Sequence, residues 1–279
     1  MTKHRIFTFA AAALFAAGAS AAAAPLVTDP GPAPRSILVV GNSYMYYNCG
    51  INSYLGGMIR EKADPKVKTR IAAIGRGNLS QYPIAEYLDN TRLRSHEKKW
   101  GALDAKLLEA EEKKRESYEA VLMQASNRGR NDQARDAHYM KAHADAIRTS
   151  GARPALILTW VQNRANAPKF ETVLEAVTRT GNENGMLVIP VGQAFNTARA
   201  ELPDVAFLMP DNTHPTAAGS YLMGSVIYAS LYKRDPMDAT GFEGGCEKPL
   251  PQELRKKLHA IAWKTVKSWY GWQQPEKAP

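Results

Sequence analysis

Two cysteines in 279 residues exclude a disulfide-dense scaffold, and no zinc-finger spacing is present. Six histidines add no metal pattern. His138 and His143 are five apart in a stretch with helical character, so a helix turns them away from each other, and neither metal nor cofactor is expected. Seventeen prolines and twenty glycines follow no fixed period, which excludes collagen-like and solenoid architectures. No helix-turn-helix signature or RNP-like aromatic motif accompanies the formal charge of +9. The basic balance therefore points to an acidic partner or a soluble surface, not to nucleic acid. What is present is ordinary for a globular protein: 44% hydrophobic and 23% charged residues, enough chain for one large domain or two small ones.

The N-terminal residues stand apart. Lys3, His4 and Arg5 precede an apolar run from Ile6 to Ala17 and then Gly18-Ala19-Ser20-Ala21. A basic start, a short apolar core and small residues describe a secretory signal peptide over residues 1–24, cleaved after Ala21 or Ala24. The run is too short for a bilayer, which needs about 20 residues, and no later segment is long and apolar enough; no stable membrane insertion is expected. The expected mature protein is exported, to the periplasm or outside the cell. In an oxidising compartment Cys49 and Cys246 either form one disulfide or remain two buried thiols.

Short runs rich in Val, Ile and Leu recur between longer helical patterns: Ser36–Val40, Thr69–Ile74, Ala120–Gln124, Ala155–Trp160 and Met186–Val191. Such runs fit strands buried on both faces of a parallel sheet. Helices are expected near Ile51–Glu61, Leu79–Leu88, Leu103–Tyr118, Asp132–Thr149, Pro168–Thr180 and Pro215–Tyr232. This alternation predicts one α/β domain over 25–279, a three-layer α/β/α sandwich. Its last helix docks an apolar stripe of Leu254, Leu258, Ile261, Val266 and Trp269 on the body. The mixed-sign run Glu109–Glu116 reads as a solvated helix face.

Three segments carry chemistry. The first strand runs directly into Gly41-Asn42-Ser43, with Gly41 read as permitting a sharp turn. Parallel sheets bind ligands beyond the carboxyl ends of their strands, so Ser43 stands where a nucleophile would be presented. Asp211-Asn212-Thr213-His214-Pro215 precedes a helix; a neutral imidazole suits deprotonating a hydroxyl, and a carboxylate three residues away can orient it. A chance Asp-x-x-His-Pro is expected about 0.01 times in a chain of this composition. Third, Gly75-Arg76-Gly77-Asn78 and Gln124-Ala125-Ser126-Asn127 follow strands two and three and offer backbone and side-chain amides at the same sheet edge. Tyr44, Tyr46, Tyr47 and Trp160 belong near that edge, either as packing residues or as faces for a sugar ring.

Together these segments resemble the SGNH (GDSL-like) hydrolases from about Ser36 to Tyr232. The resemblance implies a flavodoxin-like five-stranded parallel sheet and serine esterase chemistry on small or carbohydrate-linked esters, O-acetyl carbohydrates included. Ser43 matches the nucleophile, His214 the base and Asp211 its orienting acid. The oxyanion hole is implied at the amides of Ser43 and Gly75 with a side-chain amide from Asn127 or Gln124. Two features depart from the usual pattern. Asn42 stands where many members have Asp, and the third block reads Gln124–Asn127 in place of Gly-x-Asn-Asp. Gly129-Arg130-Asn131-Asp132 has the letters of that block but lies beyond the strand. Two other functions use the same segments: a polysaccharide O-acyltransferase, and a non-catalytic carbohydrate-binding module with a degenerate site.

Overall fold

The five apolar runs lie side by side in a computed structural model of the chain, which describes residues 24–89, 117–128, 130–245 and 248–272. β1 (Ser36–Gly41), β2 (Lys68–Ala73), β3 (Ala120–Gln124), β4 (Arg153–Ile157) and β5 (Leu187–Ile189) form one sheet in the order β2-β1-β3-β4-β5, every pairing parallel. This is the flavodoxin-like strand order. The missing polar alternation is explained face by face. Ile37 and Val39 of β1 enter one apolar cluster, and Leu38 and Val40 enter the other. Ala120 and Leu122 against Val121 and Met123 repeat the division in β3. Successive strand residues point to opposite faces, so a strand covered on both sides is apolar throughout.

The helices among the described residues are α1 (Ser43–Tyr46), α2 (Ile51–Lys62), α3 (Ile84–Asp89), α4 (Arg130–Thr149), α5 (Phe170–Glu183), α6 (Val191–Glu201), α7 (Ala217–Tyr232) and α8 (Gln252–Tyr270). α2, α6, α7 and α8 cover one face of the sheet, and α3, α4 and α5 the other. The layers are α/β/α, as expected. α7 is buried from Ala218 to Tyr232, which accounts for a sequence that is apolar all round. Its small residues admit α2 closely: a Cβ on Gly224 would stand 3.0 Å from the Cβ of Tyr54. α8 lays Leu258, Ile261, Ala262, Val266 and Tyr270 against this layer, and Trp269 and Tyr270 both donate to the Val188 carbonyl.

Three expected elements differ in extent. Leu79–Leu88 is a 3-10 turn at Leu79–Gln81 followed by α3, because Pro83 disfavours helical backbone at Tyr82. Met186–Val191 yields a strand of three residues, since Pro190 ends it and caps α6, a helix the sequence reading missed. β4 stops at Ile157, which frees Leu158–Trp160 for a loop. The residues before 24, where a signal peptide is expected, the charged run at 109–116, most of the helix expected at Leu103–Tyr118, and Cys246 lie outside the described residues. Cys49 is disulfide-bonded, with the φ of 72° that places it in a left-handed turn.

Candidate active site

At the end of β1 the chain is held from three sides. The Asn42 side chain caps α1 by accepting from the Tyr44 amide (3.1 Å) and donates to the Gly77 carbonyl (3.2 Å). An aspartate could supply the cap but not the donation. The Asn42 amide donates to Gln124 Oε1 (3.0 Å), and the Tyr82 hydroxyl donates to the Gly41 carbonyl (2.5 Å). Gly41 does not have the left-handed backbone that a sharp turn would need. Its role is close approach: a Cβ there would lie 2.5 Å from Met45 Cγ and 2.7 Å from Gln124 Oε1. Ser43 is thus the first residue of a capped helix at the carboxyl edge of the sheet.

His214 arrives on a turn that is equally braced. The Met209 amide donates to the His214 carbonyl, and Asn212 takes the left-handed backbone (φ 56°) that asparagine tolerates. Asp211 Oδ1 accepts from the Thr213 and His214 amides (2.9 and 3.0 Å), leaving Oδ2 facing His214 Nδ1 at 2.5 Å. Trp160 Nε1 donates to the Thr213 carbonyl (3.1 Å), and Arg164 to the Thr213 hydroxyl (2.9 Å). Asn48 ties the loop after β1 to this turn by donating to the Pro215 carbonyl (2.8 Å) and to Ser220 Oγ (3.0 Å).

The two assemblies meet. His214 Nε2 lies 2.7 Å from Ser43 Oγ across 171 sequence positions. With the Nδ1 proton shared with Asp211, Nε2 is the free acceptor for the serine proton. Desolvation pushes the Asp211 carboxyl up, but hydrogen bonds from the His214 ring and the His214 and Thr213 amides outweigh it and hold the group at about 2. The Tyr47 ring stacks on His214 (3.9 Å between centroids), and Tyr44 meets it edge-on (5.9 Å). Tyr44 and Trp160 are buried and stacked on each other at 4.7 Å, so they are packing residues, while Tyr46 and Tyr47 are half-exposed.

Ser43 and Gly75 each lie two residues beyond the paired Gly41 and Ala73, so their amides share one edge of adjacent strands. Among the described residues neither amide donates a hydrogen bond. Of the two side-chain amides, Asn127 has its NH₂ engaged, whereas Gln124 is held through its oxygen. Gln124 Oε1 holds Asn42, and Asn127 Nδ2 donates to the Trp160 carbonyl (2.7 Å) and the Tyr44 hydroxyl (3.1 Å). A hydroxyl not singled out as a donor from the sequence stands nearby: the Tyr46 oxygen is 3.6 Å from where a Cβ on Gly75 would be. No sequence signal marks it, because α1 is only four residues long and shows no hydrophobic period.

Behind the site, buried Asp136 accepts from the Ser126 amide (2.6 Å) and so fixes the loop after β3. Burial pushes its carboxyl up to about 6, with the Ser126 hydrogen bond opposing. An unfolded aspartate ionises near pH ~3.9. Between about pH 4 and 6 the folded chain therefore holds a proton that the unfolded chain has lost, and stability declines as pH rises through that window. Thermal unfolding of Asp136→Asn is expected to show a smaller drop in Tm from about pH 5 to pH 7 than the unaltered protein; equal drops would contradict this.

No protein-family model matches the chain, and no curated protein matches it. Its architecture does have solved counterparts. A proposed SGNH hydrolase from Slackia heliotrinireducens shares 21% identity with a TM-score of 0.52, over 70% of this chain and 98% of that one. A DUF4886 family protein from Bacteroides uniformis aligns over 87% of this chain and 97% of its own, at 16% identity and a TM-score of 0.54. The acetyl xylan esterase AlAXEase does so over 70% and 99%, at 10% identity and 0.51. At these identities the likeness is one of fold: the chain has the SGNH hydrolase-like α/β/α fold.

Proposed function

We propose that this chain is an exported serine esterase acting on small or carbohydrate-linked esters, with Ser43 as nucleophile, His214 as base and Asp211 as the acid that orients it. One observation carries the reading: the 2.7 Å approach of His214 Nε2 to Ser43 Oγ, with Asp211 on the opposite ring nitrogen. A serine hydroxyl is a poor nucleophile until a base takes its proton, and this is the geometry that activates it. The likeness in fold to hydrolases, an acetyl xylan esterase among them, supports the same reading. The disulfide at Cys49 and the N-terminal pattern support export.

In the proposed reaction His214 Nε2 takes the hydroxyl proton as Ser43 Oγ bonds to the ester carbonyl carbon. Negative charge collects on the former carbonyl oxygen, to which the Ser43 and Gly75 amides can donate, with the Tyr46 hydroxyl beside Gly75. The C–O bond to the alcohol breaks, and His214 returns the proton to the departing oxygen. Water then attacks the acyl-serine, giving its proton to His214, and the acid leaves with Ser43 restored. The test is turnover of a short-chain aryl ester by the purified protein, with and without a polysaccharide acceptor. Free acid is the expected product in both, and loss of turnover is expected in His214→Ala. Full activity in that variant, or acyl transfer to the polysaccharide as the main outcome, would overturn the proposal.

A further inference from the structure

We propose that the ester recognised here carries a negative charge close to the scissile bond, bound by the guanidinium groups of Arg128 and Arg164; this rests on the esterase reading above. The segments that build the site edge, 42–50, 74–83, 125–128, 158–169 and 208–216, contain four cations, Arg76, Arg128, Arg164 and Lys169. They contain one acid, Asp211, and its carboxylate is already committed to His214. The arginines follow β2, β3 and β4, so in the order β2-β1-β3-β4 they flank the nucleophile at the end of β1 on both sides.

Arg128 and Arg164 follow β3 and β4, the strands on one side of β1. Burial pushes the Tyr44 hydroxyl up, and the charges of Arg128 and Arg164 oppose that rise; the Tyr44 ring meets His214 edge-on at 5.9 Å. Both arginines are exposed, and among the described residues neither has a carboxylate partner. Arg164 is also fixed in place through the Thr213 hydroxyl, one residue before the base. Elsewhere on the surface arginines find acids, as Arg35 does with Glu119 and Arg135 with Asp132. Two exposed guanidiniums without carboxylate partners, on the loops after β3 and β4 at the sheet edge that carries Ser43, raise the local concentration of anions, and their planar donors match a carboxylate.

Carboxylate on the acyl side and on the alcohol side of the ester share this chemistry, and substrate pairs separate them. The first pair is 4-acetoxybenzoate and its methyl ester; the second is monophenyl succinate and its methyl ester. Within each pair only the charge differs in kind, so the ratio of kcat/KM, anionic to neutral, reads recognition of charge. The other role open to two guanidiniums, strengthening the oxyanion, accelerates both members and cancels in the ratio. The ratio for at least one pair is expected to exceed one by roughly tenfold, the order of one charge-assisted hydrogen bond. It is expected to shrink towards one at about 0.5 M salt and in Arg128→Gln, with partial recovery in Arg128→Lys. The pair that shows the preference identifies the side bearing the charge. Ratios at or below one for both pairs, or a preference unchanged in Arg128→Gln, would overturn the inference while neutral-ester turnover leaves the esterase reading standing. No turnover of any of the four esters would remove both.

Discussion

Ser43→Ala is expected to lower kcat/KM for a short-chain aryl ester by at least roughly 10⁴-fold, because no other group can form the acyl intermediate and residual rate then comes from the oxyanion donors and binding alone. The same substitution is expected to leave Tm almost unchanged. Ser43 lies at the first position of a four-residue helix, half-exposed, and its hydroxyl is bonded to His214 rather than to the core. The cap that stabilises α1 belongs to Asn42 and is untouched. Surface changes of this kind stay within about 0.5 kcal/mol. Full activity in Ser43→Ala, measured beside an unchanged melting curve, would show that the site at this sheet edge is not the one that hydrolyses esters.

Asp211→Asn carries the second large effect, a fall in kcat of roughly 10³–10⁴-fold. Asparagine keeps an oxygen for the Thr213 and His214 amides, so the turn survives. It then presents an NH₂ group to His214 Nδ1, which forces that nitrogen to accept and puts the ring proton on Nε2. A protonated Nε2 cannot take the proton of Ser43. The expected signature is a drop in kcat with little change in KM or stability, read from steady-state kinetics alongside thermal unfolding. Asp211 itself is held ionised down to about pH 2, its desolvation outweighed by the hydrogen bonds it accepts. Its contribution to stability is therefore present above the unfolded value of about 3.9 and lost as pH falls towards 2. That contribution is small, because the side chain is 42% exposed. A fall in activity between pH 7 and 4 consequently has another source than this carboxylate.

How much of this the sequence discloses depends on how local each cause is. The inner strands are legible because burial on both faces leaves a continuous apolar run, as in Ile37–Val40, whose residues alternate between the two core clusters, whereas the edge strand β2 begins with exposed Lys68 and Arg70 and is legible from its apolar end alone. The Asp211–His214 pair is legible because its bonds close within three residues. α6 is obscured by the chain around it: β5 is three residues long, and the apolar run of Met186–Val191 passes through Pro190 into the helix without a polar break. Its helical signal is Val191, Ala194, Phe195 and Ala198, all buried. The role of Tyr46 is illegible for a different reason. α1 is too short for any hydrophobic period and exists by virtue of the Asn42 cap, so nothing in the sequence places its residues on a common face. The engagement of Asn127 with Trp160 and Tyr44 is likewise tertiary, joining positions 33 and 83 residues away.

Covalent capture tests the central claim most directly. The purified protein, treated with a reactive organophosphonate that acylating serines attack, is digested and mapped by mass spectrometry. A single adduct on the peptide that contains Ser43, absent when His214→Ala is treated in the same way, is the predicted result. An ester-hydrolysing protein that stays unlabelled at Ser43, or carries its adduct on a different residue, would contradict the account.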